Sequence, residues 1–384
     1  MRDVRTVALL VMALLSIATM TAAAADPKPD CAAPADLNDG WRTSPPQDQG
    51  LDPDLICSIG RRLDGWEEAN VHSVVVVRHG ILVYEHYLAG NDQLWGKPLG
   101  RVTYDATLLH DLRSVTKSVT SLVVGIALDR GWIKDLDAPV LSFFPEYADL
   151  RNAEKERITL RHLLMMSTGL AWDENIPYSD PGNSESRMYE AKDPYRFVLE
   201  RPVAGPPGEV FNYVTGAPTL LGAVLRKLTG KPTDQLTKEV LLDPLGITEA
   251  TWIHFDNGDT MSGGGLRLRP RDLAKIGQLV LAHGAWDGRQ IVPATWIDES
   301  TKPRLNAYSM YFYGYQWWLG RSLLDGRQVD WVAGRGYGGQ RLIIVPSQDI
   351  VMVVMAGHYD ASPLQETASV SLLNRNVLPA TLHQ

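Results

Sequence analysis

The sequence predicts an α+β fold in which an antiparallel sheet is built from both ends of the chain, is flanked by helices, and carries an inserted all-helical domain. Three observations lead there. Near the start, "HSVVVVRHGILVYEHYL" (72–88) is two β-branched runs around a tight turn, the composition of a hairpin. Near the end, "YGYQWWLG", "VDWVAGRG", "QRLIIVP" and "DIVMVVMAG" are strand-like runs with short connections, most simply paired antiparallel. Between them the chain turns to short helical stretches stopped by Gly or Pro. Strands at both ends with helices between imply a sheet domain over 26–110 and 255–384, a mainly helical domain over 111–254, and a cleft at their interface.

Taken in order, residues 1–25 have two arginines, an apolar run and a string of small residues ending in "TAAAA". That is the layout of a secretory signal peptide cut after Ala25, and the run falls short of the ~20 apolar residues of a membrane span. The expectation is an exported protein, periplasmic or secreted, with no membrane span. Residues 26–50, rich in Pro, Asp and Ala, read as an irregular arm. Asp52 and Pro53 are an N-cap and first-turn proline for a helix to about residue 69. The hairpin follows, then a helix within "HDLRSVTKSVTSLVVGIALDRG" (110–131) that Gly131 ends. "TLRHLLMMSTG" is a helix capped by Thr159. "DPYRFVLERP", "GAPTLLGAVLRKLTG" and "PTDQLTKEVLLDPLG" are further short helices. The irregular "AWDENIPYSDPGNSESRMYEA" (171–191) has the length of a functional loop. "SGGGLRLRPRDLAKIGQLVLAHG" is a glycine-rich lead-in and a helix, and a last helix covers about 363–378.

Net charge is −8, and loss of Arg2, Arg5 and Asp3 with the leader makes it one unit more negative. A mildly acidic chain without charged blocks argues against nucleic acid as a partner. Cys31 and Cys57 are the only cysteines. Export permits a disulfide between them, and two free thiols are the alternative; neither has the neighbours of a nucleophile. The nine histidines are scattered, with no H-E-x-x-H and no Cys/His cluster, so no metal and no cofactor is called for. Gly334, Gly336 and Gly339 spell G-x-G-x-x-G, but a strand follows where a dinucleotide site needs a helix. The sequence is silent on oligomeric state.

The chemistry sits in the 110–131 stretch. A serine at a helix start ordinarily caps, a helical lysine is ordinarily solvated, and S-x-x-K spacing by itself is cheap. Ser114 and Lys117, however, share one helix face, and "SVTSLVVGIAL" carries no charge until Asp129, so the helix is buried on most sides. A lysine there must find a carboxylate or lose its proton. Becoming half neutral near pH 7 means giving up about 4 kcal/mol of preference for the proton. A neutral amine beside a hydroxyl is a general base for a serine nucleophile, and the helix N-terminus offers N–H groups to an oxyanion.

"RSVTKSVTSLVVGIALDRG", "ITLRHLLMMSTGLAWDE", "PPGEVFNYVTGAPTLLGAVLRKLTGKP", "DPLGI", "SGGGLRLRPRDLAKIGQLVLAHG" and "AGRGYGGQRLIIVP" occur in that order. Together they resemble the serine β-lactamase and penicillin-binding superfamily, on its class C and esterase side, and within it the hydrolases of the 6-aminohexanoate-dimer hydrolase type. The resemblance covers about 45–375 and implies a β-lactamase-like fold. It implies that Tyr213, in the Y-x-N place, shares protons with Ser114 and Lys117; two coupled groups titrate as a pair, so either can be the base. Thr215 stands where the family has Asn and offers only a hydroxyl to a substrate carbonyl. "AGRGYGG" replaces K-T-G, so β-lactamase activity is disfavoured, and Arg335 is either a substitute cation or a solvent-facing side chain. The second oxyanion N–H, beside that of Ser114, falls to Tyr337, with Gly336 the near alternative. Trp172 and the loop to Glu190 wall the cleft, with Asp173, Glu174 and Asp180 available to an amine. The expectation is a serine hydrolase, of carboxylesterase or amidase type, cleaving a small ester or amide through an acyl-enzyme. The alternatives are a penicillin-binding or D-amino-acid peptidase-like protein that keeps a slow acyl adduct, and a non-catalytic binding module.

Overall fold

The computed structural model describes residues 31–308, 310–360 and 363–381; the signal peptide expected over 1–25 lies outside the described residues. An eight-stranded sheet organises the rest. In spatial order its strands are Leu305–Asn306, Phe312–Tyr313, Trp318–Leu324, Arg327–Gly336, Gln340–Val345, Ile350–Ala356, Val71–Arg78 and Ile81–Tyr87, all antiparallel. The N-terminal hairpin is stitched to the C-terminal strands through pairs such as Val74–Val354 and Val76–Met352. Val71–Arg78, Gln340–Val345 and Ile350–Ala356 are buried at every position, which is why they read as unbroken apolar runs.

Helix Pro270–Leu281 lies on this sheet. It approaches closely at Gly277, where a Cβ would stand 2.4 Å from the Val351 side chain. Helix Pro53–Asp64 packs with the C-terminal helical segment that begins at Leu364–Leu372. Asp52 caps it through the N–H groups of Asp54 and Leu55, and Gly65 stops it five residues before the expected end; a single tight turn covers Glu67–Ala69. Cys31 and Cys57 are joined as a disulfide that ties the arm to this helix.

Helix Val115–Asp129 runs between the layers. It packs on strand Arg327–Gly336, on helix Gly216–Thr229 and on helix Ala294–Ser300, and every residue from Val115 to Ala127 is buried. Gly125 is required, because a Cβ there would lie 2.1 Å from the Trp296 ring. Thr159 caps Leu160–Leu164, in a reciprocal pair with His162. Three features differ from the sequence reading. Ala89–Leu94 and Lys97–Thr103 form an additional hairpin, and His110–Asp111, Leu266–Leu268 and Ala250–Trp252 form a small sheet that bridges the chain segments around the central helix. The loop 171–191 holds a short helix, Ser184–Glu190, capped by Asn183. No helix among the described residues is long and apolar enough to cross a membrane.

Candidate active site

Ser114 occupies the cap position of the central helix but caps nothing: its side chain accepts no backbone N–H. Its hydroxyl instead lies 2.7 Å from Lys117 Nζ, one turn along. Arg113, just before it, is held at φ +50°, the left-handed turn that swings Ser114 into the cleft. Lys117 is 1% exposed. Its Nζ also donates to the Gly263 carbonyl at 2.7 Å. An amine that spends an N–H on that carbonyl can turn its lone pair to the Ser114 proton. Burial pushes Lys117 below the ordinary lysine range, against the opposing pull of Glu185 and Glu174.

Tyr213 reaches Ser114 from the segment before helix Gly216–Thr229. It is hydrogen-bonded to Ser114, and its ring centre is 5.0 Å from Lys117 Nζ. Burial first, then Glu174, holds its phenol well above the usual tyrosine range, only partly offset by the bond to Ser114. The structure therefore brings Ser114, Lys117 and Tyr213 into one contact group, with a proton-shedding amine and a proton-retaining phenol on the same hydroxyl.

Strand Arg327–Gly336 ends beside the serine. Gly336 is essential to that approach, since a Cβ would fall 2.3 Å from the Leu112 carbonyl. Tyr337 follows it and, like Ser114, lines both lobes of the cleft, which are about 290 Å³ and 280 Å³. The first lobe is walled by Trp95, Tyr189 and Tyr359 with Arg113; the second by Tyr308, Trp318 and Arg335. Tyr178 and Glu185 border both. Arg335 is only partly exposed: it lies 4.5 Å from the Trp318 ring centre and 4.6 Å from that of Tyr311, and pairs with Glu366.

Two expectations need correction. Trp172 and Thr215 line neither lobe. Both are buried behind Glu174, which takes up their polar groups: Trp172 Nε1 donates to its Oε2, Thr215 N donates to Oε2 at 2.7 Å, and Thr215 Oγ1 bonds Oε1 at 2.8 Å. A hydroxyl so engaged is not free for a substrate. Of the three acids expected to meet an amine, Asp173 and Asp180 bind N–H groups of their own loop, and Glu174 reaches the cleft. Its carboxyl is pushed up to about 8, by burial first and then by Glu185, despite Lys117 and the hydrogen bonds that favour the anion. Glu185 went unread in the sequence. It accepts from the hydroxyls of Tyr178, at 2.8 Å, and Tyr189, and among the described residues no Lys, Arg or His nitrogen pairs with it. The Gly263 carbonyl was likewise unassigned, its one signal being the "SGGG" run.

A family profile described as Beta-lactamase matches residues 63–368. The 6-aminohexanoate-dimer hydrolase of Paenarthrobacter ureafaciens is 25% identical over 316 residues, covering 77% of this chain and 74% of that protein. Esterase EstB of Burkholderia gladioli is 28% identical over 187 residues, 47% of this chain and 46% of the esterase. The crystal structure of a penicillin binding protein from Bacillus halodurans superposes with a TM-score of 0.62 at 18% identity, over 82% of this chain and 99% of that one, a likeness of fold.

Proposed function

The chain belongs to the beta-lactamase family and is a serine hydrolase of the ester- and amide-cleaving kind, and from that premise we propose that Ser114 is its nucleophile, activated by Lys117 and Tyr213. The observation that carries this reading is the 2.7 Å contact of Ser114 Oγ with a sealed amine whose burial favours the neutral form. Lys117 accepts the serine proton as Oγ attacks the carbonyl. Tyr213, which holds its own proton firmly, relays one to the leaving group. The N–H groups of Ser114 and Tyr337 receive the oxyanion. Water then attacks the acyl-enzyme by the reverse relay, and the acid leaves. The site sits at the seam of a sheet domain, 26–110 with 255–384, and a helical insertion, 111–254.

Arg335 is committed to Glu366 and two rings, which supports esters and linear amides over β-lactams as substrates. Glu185, which borders both lobes and has no salt-bridge partner among the described residues, supports a substrate with a positive charge near the scissile bond. Export to the periplasm or beyond is the location we infer, and the Cys31–Cys57 bridge fits an oxidising compartment. The test is a panel of p-nitrophenyl esters and small amides, with intact-mass analysis and fluorophosphonate labelling. Ser114→Ala loses turnover and label alike while keeping its melting temperature, since Ser114 caps no helix. Turnover surviving in that variant refutes the assignment, and a lasting adduct in the unmodified protein makes it an acyl-binding protein instead.

A further inference from the structure

Three buried side chains that the hydrolase mechanism does not use converge: His72 and His110, both 0% exposed, and Asp92, 7% exposed. Their facing ligand atoms all lie within 4.8 Å of one another. His72 Nδ1 is 2.9 Å from His110 Nε2, and that Nε2 is 3.7 Å from Asp92 Oδ2.

The protons do not fit a plain hydrogen-bonded pair. His110 Nδ1 lies 3.1 Å from the Asp111 carbonyl. A carbonyl only accepts, so Nδ1 carries the hydrogen and Nε2 presents a lone pair. A hydrogen on His72 Nε2, which has the Asn91 backbone nearby, leaves a lone pair on Nδ1. Two lone pairs then face each other. Moving the hydrogen to His72 Nδ1 relieves them but leaves Nε2 bare, and Nε2 is sealed from solvent without a well-formed hydrogen bond. A cation between the rings takes both facing lone pairs at once. The Asp111 carbonyl becomes the outer partner that fixes the tautomer of a ligating His110.

We propose that His72, Asp92 and His110 bind one zinc ion in a structural role. Two imidazoles and a carboxylate are donors zinc accepts. Nitrogens 2.9 Å apart subtend about 90° at an ion ~2.05 Å from each, and parting by about half an ångström makes the angle tetrahedral. The backbone is arranged for it. Pairing of Val71–Arg78 with Ile350–Ala356 slips between Val71 and Ser73, so His72 sits at a bulge that re-aims its ring toward the 89–103 hairpin. Asp92 comes from that hairpin and His110 from the small sheet. Asp92 is oriented by the hydroxyls of Tyr104 and, at 2.9 Å, Tyr359. The ion would lock the hairpin whose Gln93 and Trp95 line the first lobe, without touching the reacting atoms.

The test takes the full mature protein, strips it with dipicolinate, restores it with zinc, and measures metal content and melting temperature. The expected result is about one zinc per chain, a melting temperature that falls on stripping and recovers on loading, and zinc-slowed hydrogen exchange over 89–103. His72→Gln and Asp92→Asn should each lower zinc affinity about tenfold or more. Should both variants fail to fold, cobalt in the unmodified protein still reports the site through visible ligand-field bands of a low-symmetry nitrogen and oxygen set. A stripped protein that takes up no zinc and shows no shift under excess zinc overturns the proposal. So does equal zinc uptake by folded Asp92→Asn, which places the ion elsewhere.

Discussion

Glu174→Gln isolates the electrostatics of the proposed relay. The substitution preserves the hydrogen bonds: the amide oxygen in the Oε2 place accepts from Thr215 N and Trp172 Nε1, and the amide NH₂ in the Oε1 place donates to Thr215 Oγ1. Only the ability to ionise is lost. In the unmodified protein the Glu174 carboxyl titrates at about 8 and is felt by Lys117. Below that pH it is a neutral acid, which Gln imitates, so the two proteins should agree in kcat/KM within about threefold at pH 6.5. Above it, a carboxylate stabilises the ammonium that forms as Lys117 takes the serine proton. Even at ~10 Å and an effective dielectric constant of ~20, that attraction is about 1.7 kcal/mol, roughly tenfold in rate. The unmodified enzyme should therefore climb about tenfold in kcat/KM between pH 7 and 9 on an activated ester, and Glu174→Gln should stay flat, after correction for the blank. Stability should move the opposite way. A carboxyl whose folded pKa is raised keeps a proton that the unfolded chain sheds, so stability falls as pH rises from the usual carboxylate range to about 8, and the variant should melt higher at pH 8 but not at pH 4. A climb that persists in Glu174→Gln, or that is missing from the parent, refutes the reasoning.

Tyr213→Phe removes the relay hydroxyl but keeps the ring; kcat on an amide should drop about 10²–10⁴-fold with KM little changed, measured by steady-state kinetics. Lys117→Met should abolish turnover yet raise neutral-pH stability by about 1–3 kcal/mol in urea titrations, because the folded chain no longer excludes a proton that the unfolded lysine binds. The gain should shrink as pH approaches the ordinary lysine range, where the unfolded amine is also neutral. Gly125→Ala pushes a methyl into the Trp296 ring and should cost about 1–3 kcal/mol by the same titration, with an unchanged KM in whatever fraction stays folded.

The contact of Ser114 with Lys117 is legible because it is local: two residues three apart on a helix with no charge for the next eleven positions. The sheet strands are legible because burial on both faces leaves runs that only a strand of that length explains. The hairpin over 89–103 is not. "AGNDQL" and "KPLGRVT" lack β-branched alternation, and the second strand is almost wholly exposed, so no apolar period marks it. Tyr213 comes only through resemblance, since a tyrosine before a helix has no signature of its own. Glu174 and Glu185 look like ordinary loop acids until folding bonds one to Thr215 and hangs two tyrosine hydroxyls on the other. His72, Asp92 and His110 stand 20 and 18 positions apart with a bulge among them, a spacing no helix or strand period generates.

The geometry at Ser114 is set by backbone proximity rather than by adjustable side chains. Strand Arg327–Gly336 can lie against the start of the central helix only because Gly334 and Gly336 carry no Cβ, which would fall 2.9 Å from Val115 and 2.3 Å from the Leu112 carbonyl. The Gly263 carbonyl can reach Lys117 only because Gly263 carries no Cβ, which would meet Thr215 at 2.9 Å. Three segments distant in sequence thus converge on one hydroxyl through positions that tolerate no bulk. A methyl at Gly336 has the rigid Leu112 carbonyl in its way and no flexible side chain to displace, so strand and helix start must part. That separation would carry the Tyr337 N–H away from an oxyanion it must meet at ~2.7–3.1 Å. Because such donors lose value steeply with distance and angle, an added methyl at this seam acts on the rate through the oxyanion as well as on stability through the packing.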